Sequence, residues 1–105
     1  GKVDLWPAGR VLGGSSSING MLFVRGAPAD FDGWAALGNP GWSYADVLPF
    51  FRRVEATPLG DAALRGRDGA VCVQPLRSTH SLAEVFNRAA REIGIPWNDD
   101  YNGAT

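Results

Sequence analysis

Apolar positions along this 105-residue chain recur at helical spacing in two clear stretches and alternate in one short one. The plainest helical stretch comes late. Leu82, Val85, Phe86, Ala89 and Ile93 make one stripe, the three-to-four spacing that gives a helix a single apolar face. Ser81 and Glu84 make a capping box at its start, and Gly94 ends it. Glu84 with Arg88, and Arg88 with Glu92, are spaced for helical ion pairs worth a few tenths of a kcal/mol each. An earlier stripe of Val47, Leu48, Phe51 and Val54 follows Ser43 and Asp46, whose hydroxyl and carboxylate suit the free N–H groups of a helix start. Pro49 lies inside that stripe and predicts a bend or an irregular first turn. The helix should end before Pro58.

A third, shorter helix is predicted from Pro28 to Leu37. Pro28 suits a first helical position, Asp30 and Asp32 favour the positive end, and Gly38 suits the stop, with Gly33 a weakness inside. Residues 1–20 show no sustained period and read as an extended loop. MLFVR, residues 21–25, is short, apolar and bounded by glycines, which fits a buried strand or the first turn of a buried helix. NPGW at 39–42 is turn chemistry, and 58–69 is a polar loop broken by glycines. GAVCVQPL at 69–76 alternates as a strand, Val71 and Val73 facing one way, Cys72 and Gln74 the other, with Pro75 marking its end or a sheet edge. The tail from Ile95 is turn-rich, and there is no internal repeat. The expected fold class is α+β: about three helices, a short strand and much loop.

Composition adjusts this picture only modestly. Apolar residues at 45% and charged ones at 20% describe a globular chain. The 14 glycines and 7 prolines fit the many loops, and four tryptophans argue for buried or ligand-covering surface. A net charge of −1 with no run of one sign leaves no electrostatic footprint for nucleic acid or an anionic membrane. No apolar run approaches membrane-spanning length. The lone cysteine, Cys72, can make no internal disulfide and leaves the compartment open. Both ends look cut, as in a piece of a longer chain.

Most catalytic constellations are missing. There is no Walker sequence and no G-x-S-x-G elbow. His80, the single histidine, stands just before a helix and reads as a neighbour of its N-terminus. Asp99 and Asp100 belong to a turn, D-D-Y-N-G, before they belong to any acid–base pair. Cys72 reads as a small buried apolar residue. What remains is GGSSSING, residues 13–20. Gly13 and Gly14 permit dihedrals closed to other residues and a close backbone approach to a ligand. Ser15, Ser16 and Ser17 offer hydroxyls, Arg10 a charge, and Asn19 both a donor and an acceptor. The same letters also fit a surface turn or a plain linker, although apolar residues anchor both sides.

These residues carry a resemblance. P-A-G-R-V-L-G-G-S-S-S-I-N-G-M, then F-V-R-G and D-F-D-G-W, resembles the first signature of the glucose–methanol–choline (GMC) oxidoreductases, flavoproteins that oxidise alcohols with FAD. G-N-P-G-W-S-Y-A-D-V-L-P-F-F-R-R-V-E, S-L-A-E-V-F-N-R-A-A-R-E-I-G-I-P and N-D-D-Y-N-G-A-T continue the likeness in order, closest to the choline-dehydrogenase-like branch.

The resemblance implies that Gly13, Gly14, Ser15 and Ser16 border FAD, and that Asn19, Gly20, Met21 and Leu22 run beside the isoalloxazine. Some members attach FAD through a histidine at the position of Ile18, so non-covalent FAD is expected here. It also implies three roles along the chain: residues 1–26 as the FAD-contacting loop and short apolar segment, 27–68 as a helical cover of the FAD-binding domain, and 69–105 as the strand and helix leading into the substrate domain. The family's G-x-G-x-x-G fingerprint and its late catalytic histidine do not occur in this sequence, so no catalytic residue is assigned within 1–105, and the chain alone is expected neither to bind FAD measurably nor to be active. The implied partner is a small-molecule alcohol, with the particular alcohol, the electron acceptor and the oligomeric state all open. The rival reading is a standalone interaction module whose Gly/Ser loop grips an anion or a peptide carboxylate.

Overall fold

The structure is a computed structural model and describes residues 3–104. In chain order it has a 3₁₀ turn over Gly14–Ser17, helix α1 over Pro28–Ala36, helix α2 over Tyr44–Val54, strands β1 (Glu55–Ala56) and β2 (Val71–Cys72), and helix α3 over Ser81–Glu92. This is the expected α+β arrangement of three helices with little sheet.

The helices start where their caps dictate. Asp30 accepts the Ala27 N–H at 2.9 Å and opens α1 behind Pro28. At α2 the Ser43 hydroxyl accepts the Asp46 N–H, and the Asp46 carboxylate accepts the Ser43 N–H at 3.2 Å. Two N–H groups at that helix start thus gain partners reciprocally. Pro49 sits inside α2, which nevertheless continues to Val54. The start of α3 differs from expectation by one residue. His80 is the cap, its Nδ1 accepting the Leu82 N–H at 3.1 Å, and Ser81 is already helical. Glu84 instead accepts from the Thr79 hydroxyl at 3.2 Å. Ion pairs among the described residues do not include Glu84 with Arg88 or Arg88 with Glu92; exposed side chains gain too little from pairing to hold one geometry.

Two further expectations are corrected. Residues 21–25 form neither strand nor helix: Met21, Leu22 and Val24 are exposed, and only Arg25 is buried. The strand expected over 69–76 shrinks to Val71–Cys72, because its only partner, Glu55–Ala56, is two residues long. The pair is parallel, with Glu55 opposite Val71. Cys72 on this edge is exposed rather than buried.

Packing centres on two adjoining clusters. Phe31, the one buried apolar residue among those described, meets Trp34 at 5.3 Å and Phe51 at 5.5 Å between ring centroids, both edge-to-face, and so joins α1 to α2. Beneath it lies a buried group of charges. Glu55, fully inaccessible, takes Arg65 Nε and the Gly66 N–H at 2.8 Å each through one oxygen. Arg25 Nη2 reaches the same oxygen at 2.8 Å as an ion pair without hydrogen-bond alignment. Arg65 also pairs with Asp100. Two guanidiniums and two carboxylates balance, which is the condition for burying charge at tolerable cost. The Arg25 guanidinium, 5.2 Å from the Phe51 ring centroid, couples the two clusters. Elsewhere the apolar faces are open: Leu82, Val85, Phe86 and Ile93 of α3 are all exposed. The radius of gyration, 17.1 Å, exceeds the roughly 13 Å of a compact domain this size.

Candidate functional site: a braced glycine–serine loop

The GGSSS stretch is not slack. Gly13 and Gly14 both take left-handed dihedrals, φ 89° and 58°, and turn the chain into the 3₁₀ segment. The Gly14 N–H donates to Val11 O at 2.8 Å, and Ile18 and Asn19 N–H groups both donate to Ser15 O. The hydroxyls brace the turn from outside it: Ser16 donates to Gly13 O, Ser17 donates to Leu12 O at 2.7 Å, and Ser15 Oγ accepts the Gly9 N–H at 3.3 Å. Such local side-chain bonds are what a run of serines offers a backbone outside helix and sheet. Gly9 is needed for the crossing, since a Cβ there would stand 2.2 Å from Gly14 O.

Gly14 points the other way. A Cβ built on it meets nothing within 4 Å, so the turn presents bare backbone to open space. The residues that flank the turn in sequence are exposed and apolar: Leu12 at 100%, Met21 at 88%, Leu22 at 76% and Ile18 at 55% of full exposure. Asn19 shapes the exit. Its Oδ1 accepts the Met21 N–H at 2.9 Å and supports Met21 at φ 52°, a region few side chains other than Asn and Asp visit. With that oxygen engaged locally, the Asn19 amide has its Nδ2 donors left to offer. Ser15 keeps its hydroxyl proton for another acceptor.

The structure therefore holds Gly13, Gly14, Ser15, Ser16, Asn19, Gly20, Met21 and Leu22 on one stretch, exposed except for the half-buried Gly14. The other candidates are differently engaged, Arg10 next to Gly9 at the loop's entry and the rest in other parts of the fold. Arg10 makes no ion pair among the described residues. His80 caps α3, and Asp99 accepts from the Trp97 indole. Asp100 belongs to the buried charge group. No group of three or more His, Cys, Asp or Glu among the described residues could hold a metal ion.

Sequence reasoning missed the residues that hold the loop's exit. Arg25 Nη1 donates to Leu64 O at 2.7 Å, and Asn102 bonds the backbone of Phe23 and Arg25 at 2.8 Å each. These contacts join positions 39 to 79 apart in the chain. Alongside, Val24, Gly26, Phe31, Trp42, Phe50 and Phe51 border an open groove of about 560 Å³.

Known proteins resemble the chain along most of its length. The chain is 49% identical over 98 residues to the oxygen-dependent choline dehydrogenase of Rhizobium etli (strain CIAT 652), which covers 93% of this chain and 18% of that protein. The corresponding enzyme of Brucella ovis is 47% identical over 103 residues, 98% of this chain and 19% of that one. Among solved structures, an FAD-dependent oxidoreductase from Chaetomium thermophilum superposes with a TM-score of 0.75 at 36% identity, covering 88% of this chain and 18% of that one. Pyridoxine 4-oxidase from Mesorbium loti gives 0.76 at 34%, covering 87% and 18%. The chain thus spans about a fifth of the length of the curated relatives it matches. The GMC oxidoreductase family model matches residues 1–105, the whole of it, and the chain belongs to that family.

Proposed function

We propose that this chain is the loop-bearing segment of an FAD-dependent enzyme that oxidises an alcohol CH–OH group to an aldehyde or ketone. The observation that carries the reading is the braced loop of a GMC family member in which a Cβ on Gly14 would meet open space and the flanking residues Leu12, Ile18, Met21 and Leu22 are exposed and apolar. That combination fits a flavin: bare backbone and the Ser15 hydroxyl proton for polar edges and phosphate, and apolar side chains for a flat ring. An anion- or peptide-binding module would use the hydroxyls and leave Leu12, Met21 and Leu22 without purpose, so the flavin reading is preferred.

Gly13, Gly14, Ser15 and Ser16 would border the cofactor, and Asn19, Gly20, Met21 and Leu22 would lie along its ring. Bound FAD supplies the acceptor for hydride leaving the carbon that bears the hydroxyl. Ile18 has no nucleophilic atom, so the flavin is held without a covalent bond. The residues of this chain orient the cofactor and exclude water from one side of it; the proton acceptor for the hydroxyl comes from elsewhere in the parent protein. Residues 1–26, 27–68 and 69–105 would serve as cofactor loop, helical cover and entry to the substrate domain. The substrate is a small alcohol, as the names of the choline dehydrogenase relatives suggest.

The test is the parent protein purified from its own full-length reading frame. A flavin spectrum bleached anaerobically by choline or another small alcohol, with all the flavin released to the supernatant on acid precipitation, supports the reading. A colourless protein, or a flavin that no alcohol in a broad panel reduces, refutes it. Flavin pelleting with the protein refutes the non-covalent part alone.

A further inference from the structure

The segment that leaves the loop, residues 20–25, belongs to no helix or strand. Its ties to distant parts of the chain, among the described residues, are few. The carbonyl of Phe23 and the N–H of Arg25 are both met by one side chain from the far end: Asn102 donates from Nδ2 to Phe23 O and accepts the Arg25 N–H at Oδ1, each at 2.8 Å. An amide that donates to one residue and accepts from the next but one does for such a segment what a neighbouring strand would do. Asn102 is itself buried, and its own N–H donates to Asp100 Oδ1 at 3.1 Å. Asp100 pairs with Arg65, which shares Glu55 with Arg25. The segment is therefore gripped twice, through its backbone by Asn102 and through the Arg25 side chain by Glu55 and Leu64 O.

Met21 and Leu22 lie upstream of that grip and Val24 within it, all three exposed and apolar, and among the described residues the Met21 N–H bond to Asn19 is the local tie. Where Met21, Leu22 and Val24 stand is set by the clasp. We propose that Asn102 is a positioning residue for the cofactor: acting through the backbone of Phe23 and Arg25, it sets how these side chains meet the flavin ring. This rests on the reading that the loop borders FAD.

The test uses the full-length parent, with FAD titrated into the apoprotein, visible circular dichroism of the bound flavin, and a melting temperature for each variant. Asn102→Asp keeps the acceptor for the Arg25 N–H and loses the donor to Phe23 O; Asn102→Ala loses both. Ser43→Ala, which removes the α2 cap far along the chain, serves as the stability control. Asn102→Asp is expected to raise the Kd for FAD about tenfold and to change the flavin dichroism, whereas Ser43→Ala lowers the melting temperature and leaves both unchanged. Wild-type Kd and dichroism in the Asn102 variants overturn the proposal, and so does a Ser43→Ala loss of affinity equal to theirs. Should either Asn102 variant fail to fold, amide exchange in the wild type decides: residues 22–25 slow together when FAD is added, and unchanged exchange overturns the clasp. A wild-type parent that takes up no FAD overturns the cofactor reading itself, and the proposal with it.

Discussion

Replacing Glu55 by glutamine removes one negative charge from a group that is neutral as it stands. The side chain is fully inaccessible and holds two guanidiniums and the Gly66 N–H through a single oxygen. Glutamine keeps the shape and can still accept the Gly66 N–H, but Arg25 is left buried with no carboxylate. Removing one partner of a buried pair costs about 3–5 kcal/mol, because the remaining charge stays desolvated. Arg65 retains Asp100, so the lower end applies, about 3 kcal/mol. The assay is amide exchange in the parent protein at three reporters: the Gly66 N–H on Glu55, the Thr57 N–H on Gly66 O, and the Gly69 N–H on Glu55 O. At 1.4 kcal/mol per tenfold, these amides should exchange about a hundredfold faster in Glu55→Gln when exchange reports local opening. A change of less than about threefold, under roughly 0.7 kcal/mol, would refute the view that this charge group holds the fold's centre.

Two other outcomes follow from the same geometry. Gly66→Ala places a Cβ 1.9 Å from Arg52 O and 2.4 Å from Glu55 O, both backbone, so the 57–70 loop must shift and the variant should lose stability by more than about 3 kcal/mol, read as lost soluble yield and a lowered melting temperature of the parent. The 105-residue chain by itself should retain no FAD after desalting, since its apolar faces are open and its loop touches a ligand from one side only; stoichiometric yellow protein would contradict this.

Helices were the readable part of this chain because their signals are local. The Ser43–Asp46 cap and the stripe behind it fix α2 within one turn, and Gly94 at φ 88° closes α3 where glycine predicts. His80 displaced Ser81 as the α3 cap because an imidazole nitrogen accepts an N–H as a hydroxyl does, a substitution that capping patterns written for Ser and Thr overlook. MLFVR misled because an apolar run implies burial within the chain that bears it, and here Met21, Leu22 and Val24 face outward. The loop's composition was legible, but its bracing was not: only coordinates show that the three hydroxyls close the turn and leave Gly14 bare. The centre was illegible for a further reason. Arg25, Glu55, Arg65 and Asn102 sit in four separate segments, and a charged residue at the end of an apolar run ordinarily faces water.

The claim on which everything else turns is that the bare face at Gly14 lies against the cofactor. Gly14→Asn tests it directly. Asparagine is among the side chains that best tolerate the φ of 58°, at a modest backbone strain, and its Cβ meets no atom of the chain within 4 Å. Titrating FAD into the apo parent, a folded apoprotein with a slightly lowered melting temperature is expected, and a Kd raised at least about tenfold, the cost of roughly 1.4 kcal/mol or more when a side chain occupies the ligand's place. Wild-type FAD affinity in Gly14→Asn would contradict it.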